Sequence, residues 1–216
     1  MHDLERPISP RRKRVTEANL IEAGIALTLQ KLTVKAVAEQ LGVSIVAVYN
    51  NIEDLHSLKT AVAEEILRRW DFPMPTDADT FEEALMNLSL GLRSLVHRNP
   101  GIAHYLVNIG PESPMAIGRI DGVQQRYSTL FELSPMQARW AVTTVAEHAV
   151  ALAELVHVAD PAPDDDAAML ARTDLTLIPL TVDGKVRSAA TNFEWSMRAV
   201  IMGATTIIDH PRFGLY

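Results

Sequence analysis

Hydrophobic residues recur along this chain every three or four positions, the spacing that places side chains on one face of an α-helix. The period predicts nine helices, at residues 15–29, 33–41, 44–52, 54–70, 80–99, 101–108, 114–132, 135–159 and 190–209. No strand pattern of useful length interrupts them, although residues 177–185 look extended. We therefore expect an all-α protein.

The segment 33–52 has the most specific local pattern. It consists of two short amphipathic helices joined by a three-residue turn at 41–43. Thr33 and Ser44 are good N-caps for the two helices, and Gly42 suits a turn that requires a positive φ. This order is typical of a helix-turn-helix, whose second helix enters the major groove of DNA.

The second short helix then has an inner and an outer face. Val48 and Ile52 fall on the inner face, towards the core. The outward side chains are Ile45, Val46, Tyr49 and Asn50. Such a face offers few hydrogen-bond donors, so we expect apolar contacts with thymine methyl groups and recognition of DNA shape. The alternative is a plain helical cluster whose exposed apolar residues cover a neighbouring segment.

Charge is unevenly distributed along the chain. Residues 1–70 contain ten Lys/Arg and nine Asp/Glu, whereas residues 71–216 contain ten and 18, which gives the net charge of −7. A basic arm precedes the first helix, and its Arg11, Arg12 and Arg14 are candidates for DNA contact in the minor groove. The alternative is a solvated tail.

Composition excludes several classes of protein. The chain has no cysteine, and hence no disulfide or thiolate metal site. It lacks an apolar run long enough to span a bilayer and a signal-peptide start, so we expect a cytoplasmic protein with no membrane partner. Common catalytic motifs are absent, including G-x-S-x-G, a phosphate-binding glycine loop and H-E-x-x-H, so we expect no enzyme activity.

Several positions in 11–60 occur in a familiar order: Ala18, Thr33-Val34, Val37-Ala38, Leu41-Gly42-Val43-Ser44, Val48-Tyr49 and Asn51-Ile52. Together they resemble the DNA-binding head of the TetR family of bacterial transcriptional regulators. Residues His97-Arg98, His104, 193–197 and Gly203 are similar to the C-terminal domain of the tetracycline-repressor branch. The resemblance implies a DNA-binding domain at 11–56, linked by helix 54–70 to a ligand-binding and dimerisation domain at 71–216.

The resemblance also implies partners and contact residues. Helices 135–158 and 190–209 would form a four-helix bundle in a homodimer, although burial within one subunit explains their apolar stripes equally well. The resemblance further implies that phosphates are contacted by Thr33, Lys35, Tyr49 and Asn51, and that bases are faced by Ile45, Val46, Ala47 and Asn50. Ser44 and Lys59 are the other candidate DNA-contacting residues outside the arm.

This chain departs from the family pattern at three positions. Asn51-Ile52 replaces the usual His-Phe, Leu55 replaces a usual lysine, and Thr28 replaces a glycine often found before the second helix. Fewer cationic contacts predict weaker DNA binding and a shallower salt dependence.

In this family the helices at 80–99, 101–108, 114–132 and 135–158 would enclose a cavity for a small molecule. The candidate ligand-contacting residues are Asn87, His104, Tyr105, Gln124, Trp140, Thr144 and His148. His148 falls, with Leu155, within the apolar stripe of helix 135–159. His104 lies near a histidine that binds a metal–drug complex in the tetracycline-repressor branch, but a lone histidine is a poor metal site. We therefore expect neither a metal nor a cofactor, and each residue also has a plain structural explanation.

The sequence thus predicts a ligand-responsive DNA-binding regulator, a repressor released from a palindromic operator by a small-molecule effector. The alternative is an all-helical small-molecule-binding or interaction protein with an impaired DNA-reading head.

Overall fold

A computed structural model of the chain describes residues 15–156, 171, 181–182, 185–186 and 188–210. The chain divides into two compact units, Met1–Glu65 and Ile66–Tyr216. In the first unit the helices are α1 (Glu17–Leu27), α2 (Val34–Leu41), α3 (Ile45–Tyr49) and the start of α4 (Leu55–Arg69). The boundary falls inside α4, so one helix belongs to both units.

Local hydrogen bonds explain where α2 and α3 begin and end. The hydroxyls of Thr33 and Ser44 accept the N–H groups of the third residue of each helix, as the sequence predicted. Gly42 ends α2 in the left-handed conformation at φ +67°. The N–H of Val43 then reaches back to the carbonyl of Ala38 at 3.0 Å, which satisfies a carbonyl at the helix end.

The N-terminus of α4 is fixed by a similar exchange. The carboxylate of Asp54 accepts the N–H of Ser57 at 2.7 Å, and the Ser57 hydroxyl accepts the N–H of Asp54. The hydrogen bond from the backbone N–H of Ser57 is the main cause of the lowered pKa of the Asp54 carboxyl group.

The core of the first unit lies between α1, α2, α3 and α4. Leu20, Val37, Val48 and Val62 are fully buried there. At Gly24 an added Cβ would lie 2.4 Å from a methyl group of Val62. Helices α1 and α4 can therefore approach this closely only because residue 24 has no side chain.

The second unit is built mainly from long helices. Its elements beyond α4 are α5 (Phe81–Arg98), α6 (Ile102–Leu106), α7 (Pro114–Leu130), α8 (Pro135–Ala151), a π-helical turn at Leu152–Val156, β1 (Thr181–Val182), β2 (Lys185–Val186) and α9 (Ala189–Ile208). Helix α8 packs against α5, α7 and α9, and α5 also packs against α9. The short strands pair antiparallel, within and just beyond the segment predicted to be extended. The predicted all-α class is confirmed, with this pair as a small addition.

The end of α8 differs from the sequence prediction. The α-helix stops at Ala151 and continues as a π-helical turn, and residues 157–159 lie outside the described residues. A π-turn contains more residues per turn than an α-helix, so the predicted stripe loses its phase and Leu155 is 77 % exposed. His148 is also exposed, because the buried rows of α8 run through Val145 and Ala149 beside it.

None of the helices in the described ranges is long and apolar enough to cross a membrane.

The loop between α1 and α2 contains a strained residue. Thr28 has φ +66° and ψ 151°, a region that β-branched residues strongly disfavour. Its buried hydroxyl group has no hydrogen-bond partner within the described part of the chain. The departure from glycine at this position therefore destabilises the native state.

We predict that Thr28→Gly raises the free energy of unfolding by about 1 kcal/mol. Strain of this kind costs on the order of 1–3 kcal/mol, and the greater flexibility of glycine in the unfolded chain offsets part of the gain. Urea unfolding followed by circular dichroism measures the change. Thr28→Ala removes the hydroxyl but keeps the Cβ, so it should recover less stability. A Thr28→Gly protein less stable than the parent would contradict the prediction.

Candidate nucleic-acid interface and ligand cavity

Helix α3 presents an uncovered face in the described part of the molecule. Val48 is fully buried, whereas Ile45, Val46 and Tyr49 are 45, 67 and 53 % exposed. Asn50, the last residue of this face, is exposed at the C-terminus of the helix. The structure therefore places the outward residues where the sequence analysis expected them, and Ala47 lies half-buried between them.

Side chains at both ends of α3 hold this five-residue helix in shape. The hydroxyl of Ser44 accepts the N–H of Ala47 at 3.2 Å. The side-chain amide of Asn51 donates to the carbonyl of Ala47 at 2.9 Å. Asn51 was expected to contact phosphate, but one of its two amide hydrogens is already used within the helix.

The N-terminus of α2 carries the other candidate phosphate contacts. Thr33 accepts the N–H of Ala36 through its hydroxyl oxygen at 3.1 Å, which leaves the hydroxyl proton to donate. Lys35 lies 3.8 Å from Glu39 in an ion pair with both side chains largely exposed. Such a pair contributes little, so Lys35 can turn to a phosphate at small cost.

The remaining candidate DNA-contacting residues are Lys59 and the three arginines of the basic arm. Lys59 lies half-buried on α4. Arg11, Arg12 and Arg14 lie outside the described residues.

We predict that Ser44→Ala lowers the free energy of unfolding by about 1 kcal/mol, because the N–H of Ala47 loses its acceptor. Urea unfolding of the whole chain measures the effect. Ser44→Asn is the matched control, since asparagine also caps helices well and should restore most of the loss. Equal stabilities for Ser44→Ala and the parent would show that this cap does not stabilise α3.

The second unit contains a cavity of about 180 Å³. Its lining comes from the end of α4, the segment after it, and helices α5 to α8. The apolar lining residues are Leu67, Trp70, Phe72, Leu88, Leu92, Leu106, Val107, Ile109, Ala116, Ile120, Val123, Val142, Ala146 and Val150. The polar lining residues are Arg119, Gln124, Thr143 and Glu147. This composition, mostly apolar with a few polar groups, suits a small organic ligand.

Gln124 is the member of the predicted ligand set that lines this cavity. Its side-chain amide donates to the hydroxyl of Thr143 at 3.2 Å, so two of the polar lining residues are joined. Trp140 and Thr144 line a neighbouring groove along α8, which shares Thr143 and Glu147 with the cavity.

The remaining four candidates lie outside the cavity lining. Asn87 is exposed and its side-chain amide approaches Asp79 at 3.4 Å. His104 is exposed, and Tyr105 is half-buried. His148 is exposed on α8, with its Nδ1 atom 2.7 Å from the carbonyl oxygen of Thr144. The described residues contain no group of three or more potential metal-ligating side chains.

Sequence reasoning missed Arg119 on α7. Its guanidinium group donates to the carbonyl of Leu67 and, at 2.8 Å, to the carbonyl of Trp70. It also lies over the ring of Phe72, 6.0 Å from the centroid. A signal was available, because this arginine interrupts an apolar helical stripe that includes Ala116 and Val123.

Solved structures with a fold similar to that of this chain are known. No family model and no curated protein matches the sequence. Many of the similar solved structures are TetR-family regulators, and the chain has the TetR fold.

Three of these structures show the extent of the likeness. A variant of TetR from Acinetobacter baumannii AYE in complex with minocycline is 19 % identical with a TM-score of 0.60, covering 90 % of this chain and 96 % of that one. The TetR family protein ActR from Streptomyces coelicolor, in complex with (S)-DNPA, is 13 % identical with a TM-score of 0.66, covering 89 % and 98 %. Another TetR regulator from Streptomyces coelicolor is 17 % identical with a TM-score of 0.62, covering 93 % and 100 %.

Proposed function

We propose that this protein is a transcriptional repressor that binds a palindromic DNA operator as a homodimer and is released by a small molecule. The observation that carries the proposal is the exposed face of α3 in a helix-turn-helix, within a chain that has the TetR fold. A second helix of this motif with its outer face uncovered is the arrangement that enters a major groove.

The exposed side chains of α3 can make both apolar contacts and hydrogen bonds with DNA. Ile45 and Val46 can contact thymine methyl groups, which are the apolar feature of the major groove. The Tyr49 hydroxyl and the Asn50 amide can form hydrogen bonds with a base edge or a phosphate. Thr33 and Lys35 at the start of α2 supply phosphate contacts beside them.

The exposed apolar residues of the second unit support a dimer. Leu155 and Val156 in the π-helical turn, and Met202 on α9, are each more than 60 % exposed. Next to Met202, an added Cβ at Gly203 would meet no atom within 4 Å, which leaves room for the backbone of a neighbouring helix. Exposed apolar side chains of this size are typical of protein–protein interfaces.

The cavity supplies the site for the effector. A ligand changes DNA affinity only if it binds the two states of the protein differently, and tenfold release requires about 1.4 kcal/mol of coupling. Helix α4 connects the proposed DNA-binding and ligand-binding regions along the chain, because it starts in the unit that carries α3 and ends at the cavity.

The second candidate function is an interaction protein with an impaired DNA-reading head. The bond from Asn51 to the carbonyl of Ala47 favours it, because the bond removes a donor from a position expected to hold phosphate.

We predict that Tyr49→Ala weakens binding to a selected operator about tenfold, in line with about 1–3 kcal/mol for a specific contact. Lys35→Ala should lower the slope of log affinity against log salt by about 2 in a dimer, since each lost phosphate contact contributes about 0.9. Duplexes selected from a random library, titrated by fluorescence anisotropy, provide the measurement.

Arg98→Ala is the charge control, because Arg98 lies in the last turn of α5 in the other unit and should leave the slope unchanged. If no sequence is enriched at low salt, the interaction protein is the better description.

We predict that Met202→Glu converts a dimer to a monomer at micromolar concentration, because a buried unpaired charge at an interface costs several kcal/mol. Sedimentation equilibrium gives the mass. Met74→Glu is the matched control, since Met74 is also exposed but lies in the segment between α4 and α5. A monomeric parent protein, or a dimeric Met202→Glu, would contradict the proposed interface.

A further inference from the structure

The cavity in the second unit contains a positive charge without a negative partner. Arg119 is half-buried, and its hydrogen-bond acceptors are two uncharged backbone carbonyls. Among the residues that the structure describes, no carboxylate forms an ion pair with it. Arginine side chains carry a permanent positive charge in proteins.

The guanidinium group also has spare hydrogen-bonding capacity. It carries five N–H donors, and the described hydrogen bonds use two of them. The unused donors belong to a side chain that lines the cavity. A planar fork of N–H groups matches the two oxygens of a carboxylate better than it matches any neutral group.

The other charged lining residue does not compete for this role. Glu147 also lines the cavity, but it is exposed to solvent and lies beyond ion-pair distance of Arg119. Water therefore already solvates the negative charge of Glu147, whereas the half-buried Arg119 gains most from a counter-ion. The asymmetry favours an anionic ligand over a cationic one.

The size and lining of the cavity limit the rest of the ligand. An apolar cavity of about 150 Å³ in another protein accommodates benzene, so about 180 Å³ accommodates one ring with a short substituent. Fourteen of the 18 lining residues are apolar. The body of the ligand is therefore hydrocarbon-like, and its polar group is small.

We propose that the effector is an apolar small molecule with a single carboxylate group, and that Arg119 binds this carboxylate. The inference rests on the proposed function only in taking the cavity as the effector site. It adds the chemical class of the ligand and the residue that selects it.

The same side chain gives the ligand a direct route to α4. Arg119 donates to the carbonyls of Leu67 and Trp70, at the C-terminal end of that helix. A carboxylate on the guanidinium group competes with these carbonyls for its donors. Occupation of the cavity therefore changes how firmly the end of α4 is held.

Isothermal titration of the full chain with three similar probes tests the proposal. Phenylacetate, phenylacetamide and phenethylamine share one ring and a short substituent but differ in charge. We expect phenylacetate to bind at least tenfold more tightly than the other two. Arg119→Gln should abolish this preference while leaving the affinity for phenylacetamide within about twofold.

Arg126→Gln is the matched control. Arg126 is the neighbouring α7 arginine whose guanidinium donates to Pro75 and Asp77, and it is not among the cavity lining residues. Its substitution should leave the preference for phenylacetate intact. Equal binding of acid and amide, tighter binding of the amine, no binding of any probe, or a preference that survives Arg119→Gln would each overturn the proposal.

If Arg119→Gln does not fold, arginine Nε–Hε signals of the parent protein replace it. Phenylacetate should shift a signal that is missing from the spectrum of Arg119→Lys, and phenylacetamide should not. No shifted arginine signal would overturn the proposal. None of these measurements uses DNA or the oligomeric state. A failure of the carboxylate proposal therefore does not affect the operator and dimer tests, and a failure of those tests does not affect the carboxylate proposal.

Discussion

Hydrogen bonds from Arg119 on α7 attach this helix to the C-terminal end of α4 within the second unit. Backbone carbonyls in the last turn of a helix lack partners within that helix, and the guanidinium group supplies donors to Leu67 and Trp70. Its positive charge also lies at the negative end of the helix dipole. Helix α7 thereby positions the C-terminus of α4 by directed bonds as well as by apolar packing.

A second arginine extends this attachment along α7. Arg126 donates to the carbonyl of Pro75 at 3.3 Å and to the carboxylate of Asp77 at 3.2 Å. The Trp70 and Phe72 rings lie between the two attachments in sequence and contact each other edge to face at 4.8 Å. The segment after α4 is thus held to α7 at two places about two helical turns apart. Under the proposed function, a ligand in the cavity would act on this restrained segment.

Sequence reasoning predicted the helix-turn-helix well because its determinants are local. Thr33 and Ser44 cap helices through bonds to residues three positions away, and Gly42 needs only its own conformational freedom. The predicted stripe on α8 is wrong at Leu155, because a π-helical turn begins at Leu152 and a fixed helical period cannot describe it. No proline or glycine in that stretch indicates such a turn.

The cavity shows a different limit of sequence reasoning. Polar residues on the predicted ligand helices were the natural candidates, yet most of them are exposed or hydrogen-bonded elsewhere, as Asn87 is with Asp79. The lining is mainly aliphatic and aromatic, and such residues cannot be distinguished in sequence from ordinary core. Arg119 was missed because its partners are backbone carbonyls some fifty positions away, which no side-chain motif records.

Exposed apolar residues on α3 and in the second unit differ in the polarity of their surroundings. On α3, the apolar Ile45 and Val46 lie at the start of the helix and the polar groups of Tyr49 and Asn50 at its end. This mixture matches the methyl groups, acceptors and phosphates of a DNA groove. Leu155, Val156 and Met202 in the second unit are exposed apolar side chains, and Met202 lies next to Gly203, where an added Cβ would meet no atom within 4 Å. DNA offers no large apolar surface to such side chains, whereas a second copy of the same helices does. The difference in polarity between these surfaces supports the proposal that α3 binds nucleic acid and that the second unit binds another copy of the chain.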